Sequence, residues 1–169
     1  MNFKIHSYGT PSTFQPSVIS GQVPAFPLFD TAYYLLSPQG GEEIAGEYAE
    51  SSPELIVNPN TPKYYTGVLS EIQGFFYILS NVALDTEDYN LYMDIYNSTD
   101  NDIEITLGFI STNTSETFVI PVSSAGKWYN LNVPISLSPI NYFVINVLDG
   151  PLNSSIRVTN MIIYKNSIM

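Results

Sequence analysis

A chain of 169 residues with 44% apolar and only 12% charged side chains is about one domain's worth of sequence, able to bury roughly two-thirds of the surface its unfolded form exposes. Its 5 basic residues against 16 acidic ones give a formal charge of −11, which repels phosphate backbones and anionic headgroups and so argues against nucleic acid as a partner. The lack of cysteine excludes a disulfide framework and a thiolate metal site.

The start, MNFKIHSYGTPSTFQPSV, breaks into polar and proline-containing pieces too early for the apolar stretch of a secretory leader, so no signal peptide is expected. No run reaches the roughly 18 apolar residues of a membrane-spanning helix, and no membrane insertion is expected. Residues 1–43 hold Pro11, Pro16, Pro24, Pro27 and Pro38 with Gly9, Gly21, Gly40 and Gly41, a density that forbids long helices and suits an extended arm. Inside it, PAFPLFDTAYYLL carries Phe26, Phe29, Tyr33 and Tyr34, too many aromatics to leave wet on a lone subunit. Either this segment lies across the body as a cover, or these four residues form an interface with another subunit.

From residue 44 to 169 the texture changes to strand-length pieces between turn signals, the pattern of an all-β domain. EIAGEYAES and ELIVNPN come first, followed by GVLSEIQGFFYILS, YNLYMDIYNS and DIEITLGFIST. ETFVIPVSS, WYNLNVPIS, NYFVINVLD and SIRVTNMIIYK complete the set. Leu91, Met93 and Ile95 alternate with Tyr92, Asp94 and Tyr96, and Ile103, Ile105 and Leu107 alternate with Glu104, Thr106 and Gly108, which gives each strand an apolar and a polar face. The Asn/Asp-rich NSTDND between these two reads as a hairpin connection and predicts that they pair antiparallel.

The elements LYMDIYN, IEITLGFI, GKWYNLNVPIS and the closing IRVTNMIIYK, in that order, resemble the second half of a jelly-roll carbohydrate-binding module of the galactose-binding-like type, over residues 44–165. The resemblance implies an antiparallel β-sandwich of jelly-roll type, here with an extended N-terminal arm, and no active site. Many such modules hold a structural calcium with an Asp on the closing strand. This chain has Thr159 near that place, which leaves Glu43 and Glu47 as the residues that could offer oxygens to Ca2+. No other cofactor is expected. The aromatic of the GKW element in these modules usually packs near the sheet edge, so Trp128 is expected to pack and Tyr129 to face the other way.

The residues argue against catalysis on their own terms. The single histidine, His6, lies in the proline-rich arm, no GxSxG elbow is present, and a hydrolase would need His6 in a carboxylate-lined pocket. Acidic groups cluster at Glu42–Glu54, Asp85–Asp88 and Asp100–Glu104 without the spacing of a calcium loop, as a wet strand face also would. Sequons at Asn97, Asn113 and Asn153 are what so Asn- and Ser-rich a chain produces by composition.

The 13 tyrosines are the distinctive feature, with pairs at Tyr33–Tyr34 and Tyr64–Tyr65 and, among the others, Tyr8, Tyr89, Tyr92, Tyr96 and Tyr142. An outward aromatic can stack on a sugar or anchor a protein neighbour. The first functional expectation is a non-catalytic structural module that assembles with itself or with other subunits on the surface of a large particle, as a capsid, decoration or spike component of a virion. The alternative is a carbohydrate-binding module recognising a glycan through Tyr64, Tyr65, Trp128 and Tyr129.

Overall fold

A computed structural model describes residues 22–69, 74–80, 83–148 and 154–165. They form β1 (Ala32–Leu36), β2 (Gly46–Tyr48), β3 (Ile56–Val57), β4 (Tyr65–Leu69), β5 (Phe75–Leu79) and β6 (Tyr89–Asn97). β7 (Ile103–Phe109), β8 (Thr114–Ile120), β9 (Trp128–Pro134), β10 (Tyr142–Val147) and β11 (Ser154–Lys165) follow, with single 3-10 turns after β7 and β8. The strands make two antiparallel sheets, one of six strands in the order β3-β4-β11-β6-β9 with β1 also on β11, the other of five in the order β2-β5-β10-β7-β8. This is the expected all-β antiparallel sandwich.

Alternation explains the layering. Leu91, Met93 and Ile95 of β6, Ile103, Ile105 and Leu107 of β7, and Phe143 and Ile145 of β10 are fully buried between the sheets. Removing each such side chain from water is worth about 1.5–3 kcal/mol, and together they set which face of every strand looks inward. Gly67 on β4 leaves room for this core, because a Cβ there would stand 2.4 Å from the ring of Phe75.

The predicted hairpin of residues 89–112 is not what forms. β6 pairs with β11 and β9, whereas β7 pairs with β10 and β8, so the two strands sit in opposite sheets. The intervening turn carries the chain across the sandwich. Asn97 pins it, with Nδ2 donating to Asn101 O (2.7 Å) and Oδ1 accepting from the backbone N–H (2.9 Å) and hydroxyl (2.7 Å) of Thr99. An Asx-type turn serves a crossover as well as a hairpin, and both arrangements bury the same alternating residues. The stretch GVLSEIQGFFYILS likewise divides into β4 and β5, one in each sheet.

The aromatic N-terminal segment is the cover in the described structure. β1 pairs with the end of β11, Ala32 opposite Tyr164 and Tyr34 opposite Ile162, while Phe26 and Phe29 lie on the outer face of the six-stranded sheet against Tyr92, Ile162 and Tyr164. Because β4 pairs with the start of β11 and β1 with its end, the two meet in a seam beside Thr159. There the Thr159 hydroxyl donates to Lys63 O and accepts from Gln39 Nε2, both at 2.6 Å, and Gln39 also donates to Pro24 O at 3.0 Å. The residue standing near an expected metal ligand is engaged here in tying the cover to the sheet.

Candidate functional site

With one outer face covered, the outward side of the five-stranded sheet is the face that no segment crosses among the described residues. On β10 the residues Tyr142, Val144 and Asn146 point outward, opposite Gly108, Thr106 and Glu104 of β7 on one side. On the other side Tyr142 and Val144 stand opposite Ile78 and Phe76 of β5. These positions alternate with the buried Phe143, Ile145 and Val147, so the interior that holds β10 in place also aims its other half at solvent.

Gly108 shapes the surface, since a Cβ at that position would lie 2.1 Å from Tyr142 Cζ and 2.2 Å from its hydroxyl. The missing side chain lets the Tyr142 ring lie down over β7. Phe76 meets the same ring edge to face, at 5.2 Å between centroids and 75° between planes. Together with Gly74, Val144, Glu104, Thr106 and Asn146 they line a shallow depression of about 610 Å3. Ile110 and Asn113 form its rim. That loop is held by Asn141, whose Oδ1 accepts the Ile110 N–H at 2.9 Å, and by the left-handed backbone of Asn113 at φ 52°. An aromatic and aliphatic floor edged by a carboxylate, an amide and a hydroxyl can hold a flat, partly apolar ring and bond its polar substituents.

The residues singled out in the sequence go elsewhere. Trp128 is only 3% exposed and sits under Tyr64 and Tyr96, whose rings approach it edge to face at 5.9 and 5.6 Å. The guanidinium of Arg157 lies over both tyrosines, 5.5 Å from Tyr64 and 5.0 Å from Tyr96. So Tyr64 and Trp128 do meet, on the outer face of the six-stranded sheet, as a packed corner. Tyr65 and Tyr129 turn inward onto the core, as the alternation along β4 and β9 requires.

Tyr65 donates its hydroxyl to the Glu43 carboxylate, which also accepts the Ser37 N–H at 2.7 Å. Burial first, and then the Glu43 carboxylate, pushes the Tyr65 hydroxyl well above the usual phenol range. Glu47 projects outward from β2 opposite Ile78. Among the described residues no three His, Asp or Glu side chains gather as a metal-binding group. His6 lies outside the described residues. Phe26 stacks on Tyr34 at 5.7 Å, Phe29 on Tyr164 at 3.9 Å and Tyr33 on Tyr89 at 5.5 Å.

Of the residues lining this depression, Phe76, Thr106 and Asn146 were not singled out from the sequence as candidate contacts, and Glu104 only within an acidic cluster. The available signal was an aromatic in the outward half of NYFVINV, where a solvated face needs none.

The architecture has solved counterparts. A carbohydrate-binding module of family 29 superposes with a TM-score of 0.59 at 10% identity, over 78% of this chain and 86% of that one. A variant of the CBM29-2 module complexed with cellulohexaose gives 0.59 at 10% identity over 78% and 89%, and another complexed with mannohexaose gives 0.60 at the same identity and coverage. No family model and no curated protein sequence matches the chain. The fold is therefore that of a carbohydrate-binding-module β-sandwich, as the resemblance of its strand order implied.

Proposed function

We propose that this chain is a non-catalytic carbohydrate-binding module that takes a neutral glycan on the outer face of its five-stranded sheet. The observation that carries the reading is the Tyr142–Phe76 aromatic pair, laid open beside Glu104, Thr106 and Asn146 in a depression of about 610 Å3. Pyranose rings present an apolar face that stacks on such rings, while their hydroxyls pair with carboxylate and amide groups. Glu104 is the charged group lining the depression, and the whole chain carries −11, so uronic or sulfated sugars are disfavoured.

The solved relatives support the reading, since two are complexed with neutral hexasaccharides. Assembly with other subunits on a virion or other particle draws on sparse charge, missing cysteine and the aromatic arm, but the described part of that arm packs on the chain's own sheet and the comparisons lend the reading no support.

Calorimetric titration with cellulohexaose and mannohexaose tests the proposal. One of them is expected to bind, Tyr142→Ala to weaken binding by about tenfold or more, and Gly108→Val, which pushes the ring off the sheet, to weaken it in parallel. Failure of a broad panel of neutral oligosaccharides to bind at millimolar concentration would overturn it.

A further inference from the structure

The outer face of the six-stranded sheet, under residues 24–29, is built unlike a surface meant only to be covered. Across its middle run Asn160, Asp94 and Asn130, directly opposite one another on β11, β6 and β9. Asp94 is only 2% exposed and accepts hydrogen bonds from the Nδ2 groups of Asn130 and Asn160, both at 2.8 Å. The carbonyl ends of those two amides, Asn130 Oδ1 and Asn160 Oδ1, are buried with no protein partner, and so is Asn132 Nδ2 one row further along.

Each such atom forfeits the hydrogen bonds it makes in water, and an apolar lining beneath two phenylalanines would have avoided that loss. Among the described residues, those on top do not repair it. Phe26 and Phe29 bring rings, and the polar contact from this stretch onto the amides is Ala25 O, 3.5 Å from Asn160 Nδ2. Phe29 lies flat on Tyr164, at 3.9 Å and 11°, in the pose a pyranose takes on an aromatic platform.

We infer that this face is a second glycan-binding surface, closed in the present conformation by the chain's own residues 24–29, with Phe29 occupying the stacking position and the stranded amides waiting for sugar hydroxyls. Alternating donors and acceptors beside tyrosine rings match a ligand that is apolar on its faces and hydroxylated around its rim. Binding here must displace the cover, so the affinity of the intact chain is reduced by the fraction of molecules in which it stands open. The ligand class is shared with the site on the other sheet, but the argument for this face does not depend on that site.

The experiment removes the other site first. In a Tyr142→Ala background, chains with the native cover and with Phe26→Ala plus Phe29→Ala are titrated with cellulohexaose and mannohexaose, while the side-chain amide resonances of Asn130, Asn132 and Asn160 are followed by NMR. The opened chain is expected to bind about tenfold or more tighter than the closed one, with those resonances shifting. A folded double variant that gains no affinity, or gains it with the three amides unmoved, overturns the inference. Should the double variant fail to fold, Phe29→Ala alone carries the same two readouts. Because the background lacks Tyr142, failure of the open-face proposal leaves this outcome readable.

Discussion

Along β6 the outward residues Asn90, Tyr92 and Asp94 are as buried as the inward Leu91, Met93 and Ile95, whereas along β10 burial alternates strictly between inward and outward positions. Both strands lie inside their sheets and both carry Tyr and Asn on the outward half. The difference is made elsewhere, by the passage of residues 22–31 over one sheet and not the other. The same side-chain chemistry is thus a buried polar layer on one face and a solvent-facing platform on the other, and what covers a sheet decides which.

The sharpest way to break this comparison uses two adjacent residues of β5. Phe75 is fully buried against Gly67 and Leu55, while Phe76 faces the open depression. Phe75→Ala is expected to cost about 3–5 kcal/mol in denaturant unfolding. Phe76→Ala is expected to cost under about 1 kcal/mol and to weaken glycan binding instead. Equal stability costs would mean that the five-stranded face is covered too.

How much of this was readable from residues alone follows the same division. Period-two stretches such as Ile103, Ile105 and Leu107 announce a strand and its inner face, because burial of alternate side chains is what holds a sandwich together. The order of elements from LYMDIYN to IRVTNMIIYK carried the fold. Neighbours are another matter, since the NSTDND turn suits a hairpin and a crossover equally and the alternation is unchanged by the choice. The site was harder still. Tyr64, Tyr65, Trp128 and Tyr129 stand out as a concentration of aromatics; Trp128 packs and Tyr129 faces the other way, as expected of them, and Tyr65 turns inward. Tyr142 stands out less, and Gly108, whose lack of a side chain sets the Tyr142 ring flat, has no local signature. Contacts between strands far apart in sequence create the platform, so spacing within a strand cannot report it.

The buried polar layer has its own signature in pH. Burial raises the Asp94 carboxyl above the ordinary carboxylate value of 3.8, with hydrogen bonds from Asn160, Asn130 and Tyr92 opposing it. The native state therefore keeps this proton to higher pH than the unfolded chain does. Stability contributed by the group falls as pH rises from about 4 through the raised native value, by at most about 1.4 kcal/mol per pH unit, and levels off above it. Asp94→Asn should remove that decline, measured as the difference between wild-type and variant unfolding free energies across acidic to neutral pH. A difference independent of pH would mean that Asp94 is solvated, and the cover correspondingly loose.

The smallest effect sharpens the comparison at its corner. Arg157 lies over the Tyr64 and Tyr96 rings above Trp128, and Arg157→Gln should cost only about 0.5–1 kcal/mol, as exposed cation–π contacts do. Its value is in the readout. Trp128 is the chain's one tryptophan, so its emission reports on the outer side of the six-stranded sheet and on nothing else. Arg157→Gln is expected to shift that emission slightly to the red as water reaches the indole. A glycan on the Tyr142 platform, on the far side of the core, is expected to leave it unchanged. Quenching or a blue shift during titration of the wild-type chain would instead make the corner of Tyr64, Tyr96 and Trp128 the ligand contact, and would move the binding face from the open sheet to the covered one.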